Sequence, residues 1–320
     1  SAPGSFTIGD YAIVFNGEIY NYQTLREELI AAGHTFTTKS DTEVLLHGYE
    51  QWGVDLLQRV RGMFTFVIWD KNKQELFGAR DHFGIKPFYY AKMNGTFMYA
   101  SEIKSLLRHP DFVKELNAEA LKPYMTFQYP AIGETFFKGV YKLPEGHYFT
   151  YRDGKMDIHR YYDEDFREGK QKLGELVNSI DQTVCDSVKA HQIADVEVGS
   201  FLSSGVDSSY VAAVARPQHT YSIGFGKGTY NESQQAGELA ELLKLNNTAE
   251  SLTDEEAFAA FPRIQWHLDE PDSNPSCVPL YFLSALAAKD VKVVLSGEGA
   301  DELFAGYIDY GVHTKFKPIK

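Results

Sequence analysis

An apolar run, Val196–Leu202, empties into the turn Ser203-Ser204-Gly205, and the chain goes on through Val206-Asp207-Ser208-Ser209 into a helical stretch read as Ser209–Arg216. A buried strand, a small-residue turn and a helix in that order begin a parallel α/β unit. The order recurs at Val291–Leu295, followed by SGEGADELFAGY, Ser296–Tyr307. In an open parallel sheet both turns leave their strands at the carboxyl edge, where ligands bind. A helix start offers free N–H groups and about half a positive charge, so it favours an anion. A carboxylate such as Asp207 belongs beside a phosphate when Mg²⁺ lies between them, and Asp301 is placed to share that group. Ser296 and Gly297 can face a nucleotide with backbone atoms. The turn has neither the lysine of a Walker loop nor the GxGxxG spacing. Each turn also has a plain structural reading. Asp207 and Ser208 would cap a helix, and the second turn would be acidic because the whole chain is.

Around these turns, helices are expected at Leu173–His191, Asn231–Lys244 (with an Asn cap), Thr253–Trp266 (Thr253 and Glu256 as a capping box) and Tyr281–Lys289, with a strand at Thr220–Phe225. The first half has another rhythm. Short aromatic-rich runs at Met63–Trp69, Leu76–Ala79, Pro87–Ala91 and Thr96–Ala100, split by turn residues, predict an antiparallel meander. Tyr11–Phe15 reads as a strand. Tyr22–Ala32 reads as a helix burying Leu25, Leu29 and Ile30, and Asp41–Trp52 as a helix burying Val44, Leu45, Gly48 and Tyr49. The charged, turn-rich stretch 151–172 is taken as the connection between a domain at 1–150 and one at 173–320.

SSGVDSS resembles the pyrophosphate loop of the PP-loop ATP pyrophosphatases, usually SGGxDS, with Ser204 for the first glycine. Together with SGEGADELFAGY the resemblance narrows to the asparagine synthetase B family and its near relative β-lactam synthetase. It implies that Ser203, Gly205, Asp207 and Ser208 hold pyrophosphate, that Mg²⁺ sits at Asp207 and Asp301, and that Leu202, Ile223, Ser296 and Gly297 line the AMP site. Glu298 falls where the family handles the aspartyl-adenylate and the ammonia attack; a carboxylate there accepts a proton. In the first half, Asn16 and Gly17 of NGEIYNY offer the paired donors of an oxyanion hole, and Glu18 and Asp41 are anions for an amino group. Alone, these read as an Asn-Gly turn and a capping Asp. In series, NGEIYNY, SDTEV, RDHFGIKPFYY (Arg80–Tyr90) and ASEIKSLL (Ala100–Leu107) resemble the glutaminase domain of class II amidotransferases. Asn16 and Gly17 are then the oxyanion hole, and Asn16, Gly17, Glu18 and Asp41 the glutamine pocket. The implied architecture is an α+β N-terminal-nucleophile (Ntn) sandwich, αββα, followed by an α/β PP-loop parallel sheet. The implied activity is ATP-dependent asparagine synthesis from aspartate and glutamine, through β-aspartyl-AMP and ammonia passed between domains, with ATP and Mg²⁺ required and a homodimer suggested.

That family uses an N-terminal cysteine nucleophile, an arginine upstream of Asn16 and a lysine well beyond Tyr307. Position 1 here is Ser1, and Cys185 and Cys277 read as packing residues. The chain is therefore expected to be an internal piece of a longer enzyme, without glutaminase activity of its own. The open alternatives are a β-lactam synthetase-like adenylating enzyme and a non-catalytic nucleotide-binding protein. A net charge of −13 argues against nucleic acid and anionic membranes. Two cysteines exclude a disulfide framework, and no signal peptide or spanning segment is evident, so a cytoplasmic protein is expected. His34, His47, His82 and His109 show no metal-ligand spacing and are read as structural.

Overall fold

The computed structural model describes residues 4–129, 131–165, 169–225, 232–307 and 310. Asn231, expected as a helix cap, lies outside the described residues. The chain divides into two compact units, residues 1–169 with 265–273 and residues 170–264 with 274–320.

The first unit opens with β1 (Gly4–Ile8), β2 (Tyr11–Ile19), α1 (Tyr22–Ala31) and α2 (Asp41–Trp52). It continues with β3 (Gly62–Asp70), β4 (Glu75–Arg80), β5 (Tyr89–Met93), β6 (Thr96–Ala100), α3 (Ile103–Leu106), α4 (Leu121–Phe127), β7 (Val140–Lys142), β8 (His147–Arg152) and β9 (Lys155–Arg160). The expected meander is split between two sheets. One has the order β1-β2-β3-β4-β8-β9 and the other β6-β5-β7, both antiparallel.

Period-two side-chain alternation builds the layers. Ile13, Phe15 and Ile19 of β2 and Phe64, Phe66 and Ile68 of β3 pack with Leu25 and Leu29 of α1 and Val44, Leu45 and Tyr49 of α2. The opposite face puts Val67 and Phe149 against Tyr90, Phe97 and Tyr99 of the smaller sheet. The far face of that sheet, with Tyr89, Ala91 and Met98, packs on Ile103 and Leu106 of α3. The result is the αββα sandwich. Each fully buried Leu or Phe in it contributes roughly 1.5–3 kcal/mol. Ile30, expected in this core, is 51% exposed; it falls off the narrow stripe that Leu25 and Leu29 present.

The crossing from one sheet to the other is pinned by Arg80 and Asp81. The Arg80 guanidinium donates to the carbonyls of Gly84, Lys86 and Leu143. The buried Asp81 carboxylate accepts from the backbone N–H groups of Phe64, Phe83, Ile85 and Lys86. Residues 155–160, expected in the connection, instead form edge strand β9. Asp153 and Gly154, at φ 52° and 77°, make the two-residue turn that joins it to β8.

The second unit runs α5 (Leu173–His191), β10 (Val198–Phe201), α6 (Val206–Ala215), β11 (His219–Phe225), α7 (Glu232–Leu243), β12 (Asn246–Leu252), α8 (Asp254–Leu268, of which residues 265–268 group with the first unit), α9 (Cys277–Ala287), β13 (Val293–Leu295) and α10 (Ala300–Phe304). All strand pairs are parallel, in the order β12-β11-β10-β13. Helix α9 covers one face through Leu286 and Ala287 against Tyr221. Helices α5, α6 and α7 cover the other. Among the described residues no helix is long and apolar enough to cross a membrane.

Candidate active site

In the second unit, β10 and β13 are adjacent and parallel, with Ser200 opposite Leu295. Their following turns therefore leave the sheet side by side. The turns touch: a Cβ on Gly297 would lie 2.8 Å from Asp207 Cβ and 2.8 Å from the Ser208 nitrogen. Only a glycine lets the second turn come this close.

Helix α6 starts at Val206, three residues earlier than its periodicity suggests, so Asp207 and Ser208 stand in its first turn. Its N-cap is Gly205, with no side-chain cap. The capping reading of Asp207 and Ser208 thus fails. Ser208 Oγ instead accepts from the Ser203 N–H at 3.1 Å and meets Ser203 Oγ at 2.8 Å, while the Gly205 N–H donates to Ser203 Oγ at 3.1 Å. The two serines brace the turn from within. The first N–H groups of the helix have no preceding carbonyl to bond, which leaves them for an anion.

Leu202 is buried, its N–H bonded to the Tyr221 carbonyl at 2.8 Å; Ile223 is two residues on in the neighbouring strand. Ser222 Oγ donates to the Leu202 carbonyl at 2.7 Å. Sequence reasoning missed Ser222, whose one cue is a hydroxyl inside an apolar strand. On the second turn the Glu298 N–H reaches Ser296 Oγ at 3.4 Å, and Glu298 is exposed. Asp301 is in the first turn of α10, with Gly306 packed on its carboxylate. Glu302 accepts from Tyr307 at 2.8 Å.

In the first unit, Asn16, Gly17 and Glu18 lie inside β2 rather than after it. Their strand continues because β3 runs alongside, Gly17 opposite Phe64. Phe64 spends its N–H and carbonyl on Asp81 across β4. Gly17 and Phe64 are therefore a non-hydrogen-bonded pair, and the Gly17 N–H points away from β3, on the side where β1 pairs with β2 up to Phe15 among the described residues. Gly17 has φ +154°, and a Cβ there would sit on the Met63 carbonyl and Phe64 Cα. Asn16 points to the other face. Its Nδ2 donates to Ser101 Oγ at 3.0 Å, beside a small cleft of about 100 Å³ lined by Thr65, Phe88, Tyr99 and Ser101. A primary amide has a second N–H to give. Ser101 is a further residue the sequence reading did not single out, although it lies in the quoted ASEIKSLL.

Helix α2 is capped by Ser40, whose Oγ accepts from the Thr42 N–H at 3.1 Å. Asp41 is thereby freed from capping. It is buried and accepts from the Ile19 N–H at 3.1 Å, which ties it to the end of the Asn16–Glu18 segment. Burial pushes its carboxyl above the ordinary range, against the pull of the Ile19 and Thr42 N–H groups and the Ser40 hydroxyl. Such a carboxyl gains from a cationic partner. His34 and His47, read as structural from their spacing, have ring centroids 4.9 Å apart.

Residues 2–162, just over half of the chain, match the glutamine amidotransferase domain family. The chain belongs to that family. Residues 179–317 match the asparagine synthase family. The amidotransferase match contains the segments at Asn16, Ser40, Arg80 and Ala100, and the asparagine synthase match contains both acidic turns. Asparagine synthetase [glutamine-hydrolyzing] 1 of Bacillus subtilis is 43% identical, over 99% of this chain and 51% of that protein. Asparagine synthetase [glutamine-hydrolyzing] 3 of the same organism is 33% identical over 93% of this chain and 52% of that protein. Amidase chry2 of Gibberella zeae is 30% identical over 97% and 49%. The chain thus spans about half the length of the curated relatives it matches. Among solved structures, glutamine phosphoribosylpyrophosphate amidotransferase of B. subtilis is 16% identical with a TM-score of 0.35, over 77% of this chain and 48% of that one. NH3-dependent NAD synthetase of Campylobacter jejuni is 20% identical with a TM-score of 0.29, over 41% and 60%.

Proposed function

We propose that the protein to which this chain belongs makes asparagine from aspartate, ATP and glutamine. The aspartate β-carboxylate attacks the α-phosphorus of ATP, pyrophosphate leaves, and ammonia displaces AMP from β-aspartyl-AMP. Glutamine hydrolysis in the first domain supplies the ammonia. The observation that carries this reading is the contact of two acidic turns, Gly297 against Asp207 and Ser208, at the carboxyl edge of adjacent parallel strands.

Ser203, Gly205 and Ser208 bind pyrophosphate in this reading, with the open N–H groups of α6 facing its charge. Leu202, Ile223, Ser296 and Gly297 receive the nucleotide. Asp207 and Asp301 offer hard carboxylate oxygens that suit Mg²⁺, and the close seat of Gly297 keeps the two turns together for it. Held there, Mg²⁺ would supply positive charge to offset that of the phosphates. Glu298, exposed on its turn, takes the proton from the attacking ammonia. In the first domain the second Asn16 amide hydrogen and the outward Gly17 N–H hold the oxyanion. Glu18 and Asp41 hold the α-amino group of glutamine, the buried Asp41 carboxyl ionising fully on contact with it.

The test is pyrophosphate release from ATP by the full-length protein. Release that requires aspartate, with asparagine formed in equal amount when glutamine is present, supports the assignment. Pyrophosphate release indifferent to aspartate, or AMP transferred to another carboxylate, overturns it.

A further inference from the structure

We propose that His34, His47 and Glu50 form a binding site for one divalent transition-metal ion of the zinc type, separate from both sites above. His34 Nδ1 and His47 Nδ1 are 3.1 Å apart, His47 Nδ1 and Glu50 Oε2 are 3.2 Å apart, and His34 Nδ1 and Glu50 Oε2 are 3.4 Å apart. These are the edges of a nearly equilateral triangle. A tetrahedral ion with bonds of about 2.0–2.1 Å places its ligand atoms about 3.3–3.4 Å apart. The three atoms therefore outline one face of such a tetrahedron, with the fourth position left for water or a ligand. This is the one group of three or more His, Cys, Asp or Glu side chains that could hold a metal ion among the described residues.

The surroundings set the tautomers that a metal needs. His34 Nε2 is 2.9 Å from Gln51 Oε1, so that nitrogen carries the proton and Nδ1 keeps its lone pair. His47 Nε2 is buried without a hydrogen-bond partner and lies 3.9 Å from the Glu43 carboxylate. A proton on that nitrogen faces a negative charge, and Nδ1 is again the free lone pair. Two lone pairs then meet at 3.1 Å, an arrangement that repels unless a cation lies between them. A shared proton satisfies one of the three close pairs; a metal ion satisfies all three. Two imidazoles and one carboxylate select zinc-like ions over Mg²⁺.

Local structure holds the groups in place. Gly33, at φ +101°, ends α1, and the His34 N–H bonds back to the Leu29 carbonyl at 3.0 Å. His47 and Glu50 share one face of α2, and Phe36 packs edge-on to the His47 ring at 4.8 Å. Glu50 is half-exposed and gives the ion a path from water. A bound ion clips the end of α1 to α2, the helix that begins with Asp41.

The experiment is zinc titration of the full-length, tag-free protein, stripped with a chelator and kept in excess Mg²⁺ so that sites of carboxylates alone stay filled. A chromophoric zinc chelator is the competitor, and Co²⁺ absorption reports geometry. One Zn²⁺ per chain, a tetrahedral Co²⁺ band, and a loss of at least tenfold in affinity with either His34→Ala or Glu50→Gln are expected. Glu50→Gln keeps the side-chain volume at a half-exposed site, so its fold is retained. Zinc binding unchanged in both variants, or a wild-type Co²⁺ spectrum that stays octahedral, overturns the site and leaves a proton shared by the two histidines.

Discussion

Gly17 is where backbone and chemistry meet at the smallest scale. Its φ of +154° and the Met63 carbonyl beneath it leave no room for a side chain. Gly17→Ala combines backbone strain with overpacking, each about 1–3 kcal/mol. We expect urea unfolding of the first unit to show a loss of about 2–6 kcal/mol, with glutamine hydrolysis falling further than stability explains. Two carboxylates at the start of α2 respond to burial in opposite ways. Asp41 is pushed up by it. Glu43, fully buried, accepts from both the N–H and hydroxyl groups of Thr37 and Thr38. Burial alone would raise Glu43, but those hydrogen bonds together hold it below the ordinary range. A lowered carboxyl contributes stability above its unfolded-state pKa, about 4.3, and loses it as pH falls through the folded value. The stability gap between wild type and Glu43→Gln should thus be full at neutral pH and narrow steadily below about pH 4. A gap independent of pH in thermal melts would contradict this origin.

Elements show why some of the fold is legible and some is not. The capping box at Thr253 and Glu256 is reciprocal, as its spacing predicts: Thr253 Oγ1 accepts from the Glu256 N–H at 3.2 Å, and Glu256 Oε2 accepts from the Thr253 N–H at 2.9 Å. Thr253→Ala should cost about 1 kcal/mol, read as roughly fivefold faster amide exchange in the first turn of α8. Caps and buried periodic faces are local, so α2, α5 and the strand–turn–helix order could be read directly. Strand β12, NNTAESL, carries little apolar signal because it is an edge, and β9 is charged for the same reason. The Asp-Gly turn before β9 was its one cue. Sheet membership of β5 and β6 depends on Arg80 and Asp81, whose partners are scattered from Phe64 to Leu143. At the candidate sites, the residue types were legible and their partners were not. Nothing in the spacing ties Asn16 to Ser101, Asp41 to Ile19, or His34 to His47.

At the scale of the whole molecule, two folds with separate cores each carry one half of the proposed reaction, in which ammonia would be the link between them. Variants should then separate by which half they touch. Asp41→Asn removes a charge whose burial is already unfavourable and keeps an oxygen for the Ile19 N–H. The isolated fold should be no less stable, while the grip on an amino group is lost. Asparagine formation driven by glutamine should fall by at least tenfold, and formation driven by added ammonium should stay near wild type. Gly297→Ala acts on the other fold. Its Cβ would meet Asp207 and the Ser208 backbone at 2.8 Å, and backbone on both sides cannot yield without parting the turns. Glutamine-driven and ammonium-driven synthesis should then fall together, with pyrophosphate release, while glutamine hydrolysis persists. Steady-state assays of asparagine, glutamate and pyrophosphate on the same preparations of full-length protein read all of these. Loss of ammonium-driven synthesis in Asp41→Asn would mean that the first fold supplies something besides ammonia, and the division of labour drawn here would fail.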